Sequence, residues 1–194
     1  MEITSLFLFI LFYSSLLFKQ FVLMKKGIKV NILMKSEGKK KNVIITEIMV
    51  SIGTYGMAVI QFISTVFFNR LNHFDFSITI KIIGIFFEII GIILLIKAMI
   101  DMRDSWRQGI SLKQKTELIT NGIYSFSRNP AFLGFDLFYF GNFLHVPTYI
   151  DFLFMILSIL SFHMQILCEE KSLTALFGDE YIKYKNSTAR YFII

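Results

Sequence analysis

Five apolar runs, set apart by short charged connectors, constrain this chain more than any other feature. A bilayer span takes about 20 mostly apolar residues. Runs at 3–23, 43–68 and 78–100 reach that length, and two shorter ones at 131–146 and 149–167 meet at Pro147. The pattern predicts an all-α integral membrane helical bundle of five transmembrane helices, the last two forming a hairpin. With 55% hydrophobic residues, 23 phenylalanines and only 18% charged residues, the chain carries more apolar surface than a soluble globule of 194 residues can bury. The first run has no basic segment before it and no small-residue cleavage site after it, so it reads as a retained span, not a signal peptide. The whole of 1–194 reads as a single membrane domain.

Basic residues fix the expected orientation. The connector at 24–42 holds Lys25, Lys26, Lys29, Lys35, Lys39, Lys40 and Lys41; that at 69–77 holds only Arg70. The connector at 101–130 holds Arg103, Arg107, Lys113, Lys115 and Arg128, and the tail holds Lys171, Lys183, Lys185 and Arg190. Basic and non-basic connectors alternate, which places the N-terminus outside and the C-terminus in the cytoplasm of a multi-pass cell-membrane protein. A net charge of +6 spread over three membrane-flanking segments is a topology signal with affinity for anionic headgroups of the membrane lipids, and not a nucleic-acid surface. One cysteine, Cys168, excludes an intramolecular disulfide, and scattered His73, His145 and His163 offer no metal-ligand set.

Polar and small residues recur at steps of three and four within the spans. Glu47, Ser51, Thr54, Ala58, Gln61 and Thr65 share one face of the second; Lys81, Gly84, Glu88 and Gly91 share one of the third; Ser158, Ser161, Gln165 and Glu169 share one of the fifth. Such stripes face the bundle interior, because lipid supplies no hydrophobic drive for helices to associate. Glu88 at mid-depth, and Asp136 nearer the cytoplasmic end, need a partner or a task. Gly134 and Gly141, one heptad apart, permit close backbone approach.

The chemistry gathers on the cytoplasmic side. In LITNGIYSFSRNPAFLG (118–134), Asn121-Gly122 signals a turn, and Asn129-Pro130 opens the fourth span as N-cap and first helical residue. Arg128 beside that helix start makes a place for an anionic group such as a carboxylate. Cys168-Glu169-Glu170 ends the fifth span, where acids oppose the helix dipole and call for a partner, Arg128 or a cationic ligand. Beyond it Leu173, Leu176, Phe177, Tyr181 and Tyr184 describe an amphipathic segment at the membrane interface, and Trp106 reads as an interface anchor. No GxGxxG, Walker A, HExxH or GxSxG signature is present.

The stretch 118–134, followed by Glu169-Glu170, Phe177-Gly178, Tyr181, Tyr184 and Arg190, resembles the isoprenylcysteine carboxyl methyltransferase and phospholipid methyltransferase group. The resemblance covers about 100–194 and leaves 1–100 as three spans matched only in being apolar. It implies an S-adenosylmethionine site held by Thr116, Glu117, Leu118, Ile119, Tyr124, Asn129, Pro130, Ala131, Phe132 and Glu169. It makes Arg128 and Glu170 the expected catalytic residues and Gln165 the substrate contact, and it implies a lipid-like or small amphipathic methyl acceptor. The group usually carries histidine at Asn129 and tyrosine at Phe132. Members acting on prenylcysteine tend to carry arginine at Gln165. Glutamine cannot form an ion pair with a carboxylate, which argues against prenylcysteine but not against methyl transfer.

The residues themselves suit that chemistry. Methyl transfer from a sulfonium is a one-step displacement, so the protein need only bind, align and exclude water. Arg128 or the fourth span's N-terminus would receive the donor's carboxylate, Glu169 or Glu170 its ammonium. Two rival readings are a membrane reductase of the steroid-reductase type with a nicotinamide cofactor, and a non-catalytic transport or assembly subunit.

Overall fold

The computed structural model describes residues 2–34, 39–109 and 117–192. Lys35, Lys113, Lys115 and Thr116 lie outside the described residues. The described chain is all-helical, without strands: α1 (Glu2–Lys25), α2 (Lys41–Val66), α3 (Ile78–Asp101), α4 (Pro130–His145), α5 (Tyr149–Phe177) and α6 (Asp179–Ser187). Four of these, α1, α2, α3 and α5, are long and apolar enough to cross a membrane. At sixteen residues α4 is about 24 Å long, short of a full bilayer core. Its partner α5 starts after only Val146, Pro147 and Thr148, with Thr148 capping its first turn by accepting from Asp151 N.

The stripes pack where their spacing puts them. Gly84 and Gly91 of α3 meet Gly141 and Gly134 of α4 in antiparallel register. A methyl group on Gly91 would sit 2.6 Å from the carbonyl oxygen of Gly134, and one on Gly141 2.6 Å from that of Gly84, so only glycine permits this approach. Beside the seam Glu88 finds its partner, His145 Nδ1, at 2.8 Å, with both side chains fully buried. On α5, Ser158 donates to the Gly53 carbonyl of α2 at 3.1 Å. Ser5 of α1 bonds Thr65 of α2 at 3.0 Å, and Tyr13 donates to Gln61 at 2.8 Å. Phe12 of α1 stacks on Phe138 of α4 with ring centroids 3.8 Å apart.

The ends of the bundle differ. One carries the starts of α1, α3 and α5, and there the backbone N–H of Phe74 donates to Pro147 O and that of Tyr149 to Asn72 O. Phe74 and Phe76 pack on Phe143 at that end. The other, basic end carries the starts of α2 and α4 and the close of α3 and α5. Beneath it, residues 28–32 run alongside 106–108 through Ile32 N to Gln108 O and Gln108 N to Val30 O.

Three local expectations change. Lys39 is not a solvated headgroup ligand: its ammonium, 5% exposed, donates to both oxygens of buried Glu47 at 2.8 and 2.9 Å and to Ile32 O at 2.7 Å. The buried carboxylate of Glu47 on α2 draws this lysine back from the connector. Trp106 is not an interface anchor but a core residue, 6% exposed, because the chain at 106–108 is held under the bundle. The apolar positions after Glu170 do not form one surface segment. α5 continues to Phe177, Gly178 turns the chain at φ 54°, and α6 directs Tyr181 and Tyr184 into the protein.

Candidate functional site

At the basic end the buried carboxylate of Glu170 joins three segments of the chain. Glu170 Oε1 accepts from Arg128 Nη2 at 2.8 Å and Nε at 3.2 Å, and from Arg190 Nε at 3.1 Å; Oε2 accepts from Arg190 Nη2 at 2.9 Å. Arg128 also donates through Nη1 to the carbonyls of Lys185 and Thr188. Its guanidinium thus ties the start of α4 to the end of α5 and to the tail. Charge-assisted bonds of this kind are the strong ones, and Glu170 holds the Arg190 guanidinium above its ordinary pKa. Asn129 stands at the N-cap position, but its side chain makes no capping bond; its amide donates to Arg190 O at 3.1 Å. Pro130 is the first helical residue, as its missing N–H favours.

Glu169 lies about 100° around the helix from Glu170 and has a different neighbourhood. It accepts from Gln165 Nε2 at 2.9 Å and interacts electrostatically with Glu47 and Lys39 of the N-terminal half. Thr46, next to Glu47, sits 3.9 Å from Cys168 Sγ, next to Glu169. Gln165 is 1% exposed and its Oε1 has no partner among the described residues.

The turn at 121–125 forms the third part. Gly122 has φ 61°, and a Cβ there would strike the Asp101 carboxylate, which receives Ile123 N at 2.8 Å. That anchor holds Tyr124 inward, its hydroxyl donating to Met102 Sδ at 3.4 Å and its carbonyl accepting from Tyr184 at 2.6 Å. Burial raises the Tyr124 and Tyr184 hydroxyls well above their ordinary range, and pushes Tyr181 up to about 12. All three are neutral at physiological pH, and Tyr124 and Tyr184 act as donors.

Next to this turn lies a hollow of about 690 Å³, lined by Asp101, Met102, Asp104 and Arg107 on one side and by Glu117, Leu118, Ile119, Thr120 and Asn121 on the other. Arg128, Glu169 and Glu170 do not line it. Tyr124 touches Met102, which lines the hollow. Phe132 faces Phe162 of α5 at 5.5 Å, and Ala131 packs on the same core. The structure therefore joins Arg128 with Glu170, Gln165 with Glu169, and Glu117, Leu118 and Ile119 with the hollow. Sequence reasoning missed the Lys39–Glu47 pair; the signal was Glu47 itself, an acid in a buried stripe that needed a cation within reach.

Fold and charge distribution define a class: a multi-pass helical membrane protein whose polar chemistry collects at one basic end. Residues 79–180, more than half of the chain, match the phospholipid methyltransferase family, and the chain belongs to it. The chain is also similar to protein-S-isoprenylcysteine O-methyltransferase of Saccharomyces cerevisiae, 30% identical over 127 residues, covering 61% of this chain and 52% of that protein. The enzyme of the same name from Schizosaccharomyces pombe is 30% identical over 91 residues, covering 45% of this chain and 39% of its own length. The chain thus spans about half or less of the length of these relatives.

Proposed function

We propose that the protein is an integral membrane methyltransferase of one domain and five spans, with α4 and α5 as a hairpin, its N-terminus outside and its basic end in the cytoplasm. Its methyl donor is S-adenosylmethionine and its acceptor a small amphipathic or lipid-like molecule. One observation carries this reading: a hollow lined by Glu117, Leu118 and Ile119 opens at the basic end, beside the turn whose Tyr124 hydroxyl donates to Met102 of the same lining.

The residues present fit such a donor. The hollow has room for a nucleoside, and outside its lining Glu169 offers a carboxylate to an ammonium. When bound, the donor supplies an electrophilic methyl group on a sulfonium. In this reading Glu117, Leu118, Ile119, Tyr124, Asn129, Pro130, Ala131, Phe132 and Glu169 hold it, and Thr116 completes the set. Arg128 and Glu170, each spent on the other, act as positioning residues: they fix the start of α4 against the end of α5, which sets the walls that Phe132 and Glu169 belong to. Gln165 meets the acceptor, one turn deeper in the bilayer than Glu169.

The test is thermal unfolding of the full chain in detergent. Selective binding raises the apparent stability by RT ln(1 + [L]/Kd). S-adenosylhomocysteine is expected to raise the midpoint in a saturable way, and nicotinamide dinucleotides to leave it unmoved. Stabilisation by a nicotinamide cofactor alone, or by neither ligand, refutes the reading.

A further inference from the structure

Among the described residues other than glycine, only Met34 and Arg103 hold a positive φ, 59° and 48°. A Cβ disfavours that conformation, and it persists where the surroundings over-determine it. Here a charged side chain does so at each. Glu47 Oε2 accepts from Met34 N at 2.8 Å, and Lys19 Nζ donates to Arg103 O at 2.8 Å.

The two residues stand at opposite ends of one zipper, in which the chain leaving α1 runs beside the chain leaving α3. Lys26 pairs with Asp104 at 2.8 Å, Gln108 N donates to Val30 O at 2.9 Å, and Ile32 N donates to Gln108 O at 3.0 Å. A Cβ on Gly109 would sit 3.0 Å from Leu33 N and 3.1 Å from Glu47 Oε1. One side of the zipper is a wall of the hollow, through Arg103, Asp104, Ser105 and Arg107, and Ile28 joins the lining from the other side. At the far end Lys39 donates to both oxygens of Glu47 and to Ile32 O. A buried ion pair adds little net stability over an apolar pair of the same volume, because desolvation offsets the attraction. This one adds register: Glu47 takes Met34 N as well as Lys39, and Lys39 takes Ile32 O, which fixes where 28–34 sits against 106–109.

We propose that Lys39 and Glu47 are positioning residues for the methyl donor: their pair latches residues 28–34, which in turn hold 103–107 in place as a wall of the hollow. This rests on the methyltransferase reading above, and it gives the donor site a support from outside the 79–180 that match the family. Neither Lys39 nor Glu47 lines the hollow. The latch acts by ordering the wall before the donor arrives, so its loss is read in affinity more than in the stability of the fold. Coupling of this kind is reciprocal, and a bound donor must tighten the strap in return.

The chain carries its own reporter, since its one tryptophan, Trp106, lies within the zipper and is 6% exposed. The double variant Lys39→Met/Glu47→Leu removes both charges and leaves neither unpaired. In detergent its unfolding midpoint is expected near that of the wild type, its Trp106 emission shifted to the red, and its affinity for S-adenosylhomocysteine about tenfold weaker. Unchanged affinity overturns the inference, and so does weaker affinity with unchanged emission. A second measurement needs only the wild type. On adding S-adenosylhomocysteine, hydrogen exchange in peptides covering 28–34 and 104–109 should slow more than in those covering 72–76 at the opposite end. Equal slowing overturns the inference whether or not the double variant folds. Absence of S-adenosylhomocysteine binding to the wild type refutes the methyltransferase reading and this inference with it, whereas binding that survives loss of the latch refutes this inference alone.

Discussion

The Glu88–His145 pair and the Arg128–Glu170–Arg190 cluster both bury ionisable groups, but in opposite settings. Glu88 and His145 span two helices that four glycines already hold in contact. There the backbone shape sets the register and the polar pair fits into it. At the basic end, α4 begins, α5 closes and the tail returns around Glu170, and the bonds of that carboxylate and of Arg128 join all three. There the charges set the shape. Adjacent residues can thus have unrelated tasks: Glu170 binds the fold together, while Glu169 keeps company with Gln165 and the N-terminal half.

Substitutions can sharpen or break this contrast. Glu170→Ala should cost most, about 3–5 kcal/mol, since it leaves Arg128 buried without its counter-charge; chemical unfolding in detergent measures it. Gly91→Val should follow at about 3 kcal/mol by forcing α3 from α4. An effect of Gly91→Val below that of a surface substitution would mean that shape does not hold the seam. Glu169→Gln should leave the unliganded midpoint nearly unchanged yet weaken S-adenosylhomocysteine by about tenfold or more, roughly 1.4 kcal/mol, in a titration. If Glu169→Gln and Glu170→Ala cannot be told apart by midpoint and ligand shift, the division of labour between them is wrong.

Tyr184→Phe should cost about 1 kcal/mol through the lost bond to Tyr124 O. It also tests a pH dependence. Burial raises Tyr181 and Tyr184 above the unfolded value of about 10, so the stability tied to their neutral forms is whole below that pH and is lost as pH rises through the folded values, about 12 for Tyr181. The tyrosines should add no slope below about pH 10, and the unfolding midpoint should fall above it, less steeply in Tyr184→Phe. Smallest of all, Glu88→Gln should cost under about 1 kcal/mol, because glutamine can still bond His145 within a seam that glycine maintains.

Much of this architecture was readable from periodicity. Glycines and serines at steps of three, four and seven marked the faces that meet, and the apolar runs gave helix limits within a few residues, apart from the long end of α5. Partners across the bundle were not readable. That Glu88 meets His145 depends on the antiparallel register of α3 and α4, which the glycines set through backbone contact. Lys39 looked like its neighbours Lys40 and Lys41, and only the folded connector distinguishes it. The two glutamates were legible as a pair, but their opposite allegiances follow from the turn of the helix between them. Of the residues expected to hold a donor, Glu117, Leu118 and Ile119 fall together on the hollow, while Asn129 is drawn to the tail by Arg190 O.

The aromatic packing at the end opposite the hollow has a consequence for traffic. Phe74, whose N–H donates to Pro147 O, and Phe76, whose N–H donates to Phe74 O, pack their rings on Phe143 near the close of α4. The hollow beside the 121–125 turn lies at the opposite, basic end, so a molecule taken up there has no need to pass these rings.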